Sequence, residues 1–513
     1  MINLSAFSAF HARVMPEAVA LIYDDESISW NAFHLRVLRA AALLRDHGIV
    51  AGDVVALLMK NSPAFLELAF AASHLGAVLL PVNFRLAAEE VRYITGHAGA
   101  KLLAVDDELD RIGRPCDAHL VLDERARHEA GTLAERDSPA PPAAPREPSD
   151  LLRLMYTSGT TDHPKGVTIS YDNFYWKCID QVMALGIGRG NRLLTVGPLY
   201  HVGALDLPGL AVLWMGGCMC LQRDFDAEAA LAAIERHALT CGWMAPVMTN
   251  AVLGLEESGR FRLDSFEWLI GGGERTPEQR IREFGRVFPR ARYVDAYGMT
   301  ETVSGDTLME AGREIEKIGS TGRALAHVEI RIADDVGRSL ASGNEGEILI
   351  RGPKVTRGYW RDAERTAESF HGDWLRSGDV GYLDDEGFLY LTDRKKDLII
   401  SGGENIASSE VERVLYDLDA VSEAAVVGVP DAKWGERPVA VVVLRPGATL
   451  DHAAVQAHCR EHLAGFKVPG ALVVRDALPR NPSGKVLKRV LREELARDAG
   501  KLVSGETRTD GTP

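Results

Sequence analysis

Residues 156–166 read YTSGTTDHPKG. Backbone N–H groups and hydroxyls of Thr157, Ser158, Gly159, Thr160 and Thr161 are suited to phosphate oxygens. Gly159 permits close backbone approach, and Lys165 supplies a cation. The GxxxxGK[ST] pattern is absent, because Gly166 and Val167 follow Lys165. Taken alone, the stretch fits a phosphate loop or a polar turn between two strands. Asp162 sets a carboxylate where an anion should be welcome.

Four further stretches follow in order: DAYGMTET (295–302), RSGDVGYLDDEG (376–387), DRKKDLIISGGENI (393–406) and PRNPSGKVLKRVL (479–491). With these, the chain closely resembles the adenylate-forming superfamily of acyl-CoA synthetases, luciferases and peptide-synthetase adenylation domains, from about residue 8 to 493. SGGEN and WGE (434–436) look most like acyl- or aryl-CoA ligases.

The resemblance implies condensation of a carboxylate with ATP, release of pyrophosphate, and transfer of the acyl group to coenzyme A. A carboxylate must then approach an anionic α-phosphate, which calls for cations and a metal. By resemblance, Thr300 and Glu301 touch the AMP phosphate and Mg²⁺. Gly272, Gly273, Glu274 and Arg275, with Asp295, Ala296, Tyr297, Gly298 and Met299, surround the adenine side. Asp379 accepts both ribose hydroxyls, as a carboxylate can, and Arg394 serves the ribose and phosphate. Lys485 is the lysine that bridges substrate carboxylate and α-phosphate. Lys396 is the hinge between an N-terminal domain, 1–395, and a mobile C-terminal domain, 397–513. Rotation there brings Gly402, Gly403 and Glu404 to coenzyme A, and the bare glycines let a pantetheine arm pass. A tight turn before the helix SSEVERVLYDL is a second, compatible reading of the same glycines.

For the acyl pocket, His201 resembles the gate residue, and Val202, Gly203, Met244, Val247, Gly271, Gly298 and Val303 are candidate walls. Amino-acid-activating relatives place an aspartate directly after the gate; Val202 stands there, which disfavours an amino acid substrate. Asp206, four residues further on, is expected to pack or cap a helix. Small residues at Gly203 and Gly271 are expected to leave room for a bulky or long apolar acid.

The family has glycine, serine or alanine at the position of Asp162. Asp tolerates left-handed backbone, so loop shape need not suffer. A carboxylate ~4 Å from a phosphate oxygen costs on the order of 4 kcal/mol at an effective dielectric near 20, before screening. The penalty falls on ATP and not on an acyl-adenylate. Three readings follow: a two-step ligase with Asp162 turned outward, an enzyme that only thioesterifies a preformed adenylate, and a non-catalytic adenylate-binding protein.

The elements that must hold these residues are legible in outline. WNAFHLRVLRAAALLRDHG reads as a helix closing at Gly48, DVVALLM as a buried strand, and PAFLELAFAASHLGAVLLPVN as helix, turn and strand. This alternation resumes at LLRLMYTSG and runs to about residue 300. It implies an α/β class with two α/β subdomains built on parallel sheets. Short β segments from about 325 to 392 suggest a small β-rich subdomain, followed by a small α+β C-terminal domain. Residues 131–150 and the last dozen are expected to lack regular structure.

At 513 residues, 46% apolar and 26% charged, the chain exceeds one ordinary core. A net charge of −15 argues against a nucleic-acid surface. No window suits a membrane helix and the N-terminus lacks a signal-peptide pattern, so a cytoplasmic protein is expected. The six cysteines have no CxxC pair and read as buried thiols. Relatives often pair as homodimers, but no interface is legible.

Overall fold

The structure, a computed structural model, describes residues 2–113, 119–122, 140–157, 164–255, 258–272, 278–334, 336–394, 397, 399–401, 404–431, 434–480, 486–497 and 507–510. Among these, three sheets organise the chain.

The first sheet runs His119–Leu122, Ala100–Asp106, Val54–Leu58, Val78–Pro81, Leu151–Thr157, Lys165–Ser170. All its pairings are parallel except the last, where Thr157 faces Lys165 in an antiparallel pair. The YTSGTTDHPKG stretch therefore connects two antiparallel strands, and its residues 158–163 lie outside those described. The helices follow their end signals. Trp30–Asp46 starts on Ser29, whose side chain accepts from Ala32 N–H, and stops at Gly48 with φ 77°. Pro63–Leu75 has proline in its first turn and Gly76 at φ 72° beyond it, and every residue is buried.

The second sheet has a parallel centre: Arg292–Tyr297, Trp268–Gly272, Cys241–Met244, Arg192–Thr195, Cys218–Leu221, Val19–Tyr23. The β-rich segment is not a detached module. Thr307–Leu308 pairs with Arg292–Tyr297 on one side and Ser320–Ala324 on the other. From there the sheet continues antiparallel through Phe388–Arg394, Trp374–Leu383, Gly346–Arg351 and Glu329–Ala333. One core spans both parallel sheets, built from Trp30, Phe33, Phe65, Phe70, Phe174 and Phe266 among others.

The third sheet gathers the C-terminal strands. Val421–Asp431 pairs with Gly435–Leu444, which is followed by Ala471–Arg475. The tail departs from expectation: Thr507–Asp510 forms a strand parallel to Ala471–Arg475. Its β-branched threonines suit a strand, and the pairing covers an otherwise open edge. Residues 140–147 lack regular structure, as anticipated. Cys178, Cys218, Cys220, Cys241 and Cys459 are free and buried, and burial raises the Cys220 and Cys241 thiols to about 12. Among the described residues no helix is long and apolar enough to cross a membrane.

Candidate functional site

The parallel strands Cys241–Met244, Trp268–Gly272 and Arg292–Tyr297 end side by side, and in open α/β sheets ligands bind outside such carboxyl ends. Beyond Tyr297 the chain turns through Thr300–Thr302 and then through Val303, Ser304 and Gly305, all at left-handed φ (55°, 67° and 67°). A β-branched residue at positive φ is strained, so the surroundings must hold it. Lys354, wholly buried, supplies that hold. Its ammonium donates to the carbonyls of Ser304 (3.0 Å) and Gly305 (2.6 Å) and pairs with Asp306 (2.8 Å). Asp306 in turn accepts from Thr302 Oγ1 at 2.5 Å. Burial raises the Asp306 carboxyl above its usual range, against the opposing pull of Lys354.

Glu301 is buried on this turn, with Oε1 3.0 Å from Lys165 Nζ and 2.8 Å from the Tyr359 hydroxyl that donates to it. Lys165 also donates to the Tyr359 hydroxyl at 2.6 Å and lies over its ring. Thus the strand end that leaves the hairpin and the turn after Tyr297 meet. Tyr297 is buried and donates to Asp379 Oδ2 at 2.9 Å. Burial, then the Asp379 charge, pushes its phenol well up, so it stays a donor. Asp379 stands opposite Arg394 in the strand register. Thr300 and Met299 are half-buried in the same turn, Gly298 is exposed, and Asp295 is buried, accepting from Ala296 N–H at 3.0 Å.

At the acyl side, His201 stacks on Trp243 with ring centroids 6.0 Å apart. Its Nδ1 accepts from Gly203 N–H at 3.0 Å, which leaves the proton of the neutral ring on Nε2. Burial lowers its pKa from 6.5 to about 4, opposed weakly by Asp206. The sign follows: the ring is neutral above about 6.5 in both folded and unfolded chain, and the folded form resists protonation as pH falls toward 4. Acid therefore removes stability in that window. Ring NMR is expected to show no His201 titration between pH 6 and 8 and protonation only near pH 4. A midpoint near 6.5 would refute the buried, neutral assignment.

The room assigned to two glycines is already taken. A Cβ at Gly203 would fall on the Trp243 indole, and one at Gly271 on the Tyr293 hydroxyl. These positions are small to admit the protein's own aromatic rings, so they open no space for an acid. A Cβ at Gly272 would lie 2.9 Å from the Ala296 carbonyl, and one at Gly298 would meet the Gly305 backbone. Val202 and Val303 pack with Met155, Val167, Ile169 and Tyr359. Met244 is buried, whereas Val247 is 40% exposed on the helix Pro246–Leu253. Asp206 packs, as expected. Fully buried, it pairs with Arg153 at 2.5 Å and Lys177 at 3.5 Å, both buried too.

The structure therefore brings together Lys165, Glu301, Tyr297 and Asp379, and places His201 against Trp243. Ser158, Gly159, Thr160, Thr161, Asp162, Gly273, Glu274, Arg275, Lys396, Gly402, Gly403 and Lys485 lie outside the described residues; for Arg394 and Glu404 only the backbone is described. Tyr359 and Trp243 join these groups only through the fold. No motif flags Tyr359. Trp243 adjoins Met244, and strand alternation points the two to opposite faces.

The family model for AMP-binding enzymes matches residues 9–360, and that for their C-terminal domain matches 410–485. The chain belongs to the AMP-binding enzyme family. This AMP-binding enzyme is 37% identical over 496 residues to a feruloyl-CoA synthase of Amycolatopsis sp, covering 96% of this chain and 99% of the relative. It is 34% identical to a long-chain-fatty-acid–CoA ligase of Mycobacterium tuberculosis, with coverages of 97% and 99%. Among solved structures it resembles the o-succinylbenzoate CoA synthetase of Bacillus subtilis in complex with its acyl-adenylate intermediate, at TM-score 0.85 and 32% identity, covering 95% of this chain and 97% of that one. The AMP-binding enzyme is an AMP-forming acid–thiol ligase of the acyl-CoA synthetase kind. Neither the thioesterification-only reading nor the binding-protein reading finds support in these relatives.

Proposed function

We propose that this ligase activates a largely apolar carboxylic acid through an acyl-adenylate and transfers it to coenzyme A. The observation that carries this reading is the meeting of Lys165 with Glu301 beside the Tyr297–Asp379 pair. In it, Asp379 takes the ribose hydroxyls, Tyr297 packs on the adenine, and Lys165 and Thr300 face the phosphates. Residues 397–513 carry Lys485 to the reacting carboxylate and, after rotation about Lys396, present Gly402, Gly403 and Glu404 to the thiol.

Mg²⁺ fits this site. It is held by one or two carboxylates together with water and substrate phosphates, not by an all-protein cage. Among the described residues no cluster of three or more metal-ligating side chains exists, and Glu301 is the one buried carboxylate facing Lys165. Glu301 would hold the ion, which when bound neutralises phosphate charge. The chain's own residues do the rest. Lys165 draws in the polyanion, Asp379 fixes the ribose, and the neutral His201 ring closes over the acid without adding charge.

Against an amino acid substrate, Val202 is buried and apolar, and the Asp206 carboxylate is already engaged by Arg153 and Lys177. The test pairs two assays on one preparation: acid-dependent ATP–pyrophosphate exchange across aryl, long-chain and amino acids, and thioester yield from synthetic acyl-adenylate with coenzyme A. Exchange with aryl or long-chain acids above amino acids is expected; exchange with none of them would overturn the proposal.

Trp243 fills the space beside Gly203 and backs the gate, so it should limit acid size. Trp243→Leu is expected to shift the ratio of kcat/KM values toward bulkier acids about tenfold, the scale set by pocket complementarity. Equal changes for small and large acids would refute the assignment.

A further inference from the structure

Tyr359 belongs to none of the stretches that carry the family resemblance, yet it occupies the centre of the cluster. Its hydroxyl accepts from Lys165 Nζ at 2.6 Å and donates to Glu301 Oε1 at 2.8 Å. The backbone around it is tied to the strand that bears Lys165. Tyr359 bridges to Val167, Trp360 N–H donates to the Gly166 carbonyl (2.7 Å), and Thr168 donates from both N–H and Oγ1 to the Gly358 carbonyl. Nearby, Thr356 N–H donates to the Glu301 carbonyl at 2.7 Å. The segment thus grips the hairpin strand through its backbone and Glu301 through both backbone and side chain.

We propose that Tyr359 is a positioning residue for the ATP half-reaction, whose hydroxyl sets the spacing and orientation of the Lys165 ammonium and the Glu301 carboxylate. Its hydrogen bond occupies Oε1 and leaves Oε2 without a hydrogen-bond partner among the described residues. The carboxylate is presented in one orientation, and Lys165 is kept beside it instead of sampling solvent. This inference rests on the adenylation reading above. It adds that two groups from different sheets act as one unit because a phenol links them.

Tyr359→Phe tests it, since the ring keeps its packing with Val167, Val202 and Val303 and only the hydroxyl is lost. Pyrophosphate exchange is expected to fall 10- to 100-fold in kcat/KM for ATP. Thioester yield from synthetic acyl-adenylate and coenzyme A should stay within threefold. As a readout independent of turnover, Mn²⁺ with a non-hydrolysable ATP analogue, followed by electron paramagnetic resonance, should bind about tenfold more weakly. The melting temperature should match the parent within a few degrees. Equal losses in both half-reactions, or unchanged exchange and Mn²⁺ binding, would overturn the proposal. Absence of exchange in the parent enzyme would instead sink the adenylation reading itself.

Discussion

Glu301→Gln is expected to slow ATP–pyrophosphate exchange about 10³-fold, on the order of 4 kcal/mol of transition-state stabilisation. The amide keeps the shape and can still accept from the Tyr359 hydroxyl, so the fold should survive. What disappears is the negative charge opposite Lys165. On the proposed assignment the variant loses its anionic oxygen donor for a divalent cation, and it leaves the Lys165 ammonium without its buried counter-charge. Because pyrophosphate has left before thioester formation, synthetic acyl-adenylate should still be consumed within about a factor of ten. Stopped-flow measurement of the two half-reactions separates the effects; an equal loss in both would show that Glu301 supports the fold and not the ATP step.

The second large effect concerns stability. Lys354→Met is expected to destabilise the enzyme by about 3–5 kcal/mol, because it strands Asp306 in the core and frees three left-handed residues from their tether. Burial already raises the Asp306 carboxyl, and loss of the ammonium removes the group that opposes this shift. A carboxyl raised in the folded state contributes stability in its protonated form below its unfolded pKa, and that contribution is lost as pH rises through the folded value. The penalty should therefore be largest at neutral pH and shrink on acidification. Denaturant titrations at two pH values measure it. A loss that does not vary with pH would argue that packing, not the pair, is the cause.

Much of the candidate site is legible because the chemistry proposed for it sits in short linear stretches. Tyr297, Thr300, Glu301 and Asp379 each stand in such a stretch, and folding had only to bring the stretches together. Residues that reach the site only through tertiary approach leave no mark in the sequence. Tyr359 lies 58 positions from Glu301 along the chain, in a segment whose texture predicts only β structure. Gly203 and Gly271 misled for a related reason. A glycine looks like free volume in a sequence, but what occupies that volume is decided by another strand, here by Trp243 and Tyr293. Asp206 packs, as its local sequence implies, but its two buried cations, Arg153 and Lys177, come from elements remote in sequence. The polar tail looked unstructured because its strand partner, Ala471–Arg475, is remote in sequence.

The splice at Thr307–Leu308 has a thermodynamic consequence. By joining the parallel and antiparallel halves into one hydrogen-bonded sheet, it fixes Tyr297 relative to Asp379, whose carboxylate is already held by the phenol. On the proposed assignment, the ribose acceptor has lost its rotational freedom before any nucleotide arrives. Ordering such a side chain on binding costs about 0.5–1.5 kcal/mol; here that entropy is surrendered once, at folding, and not at each turnover.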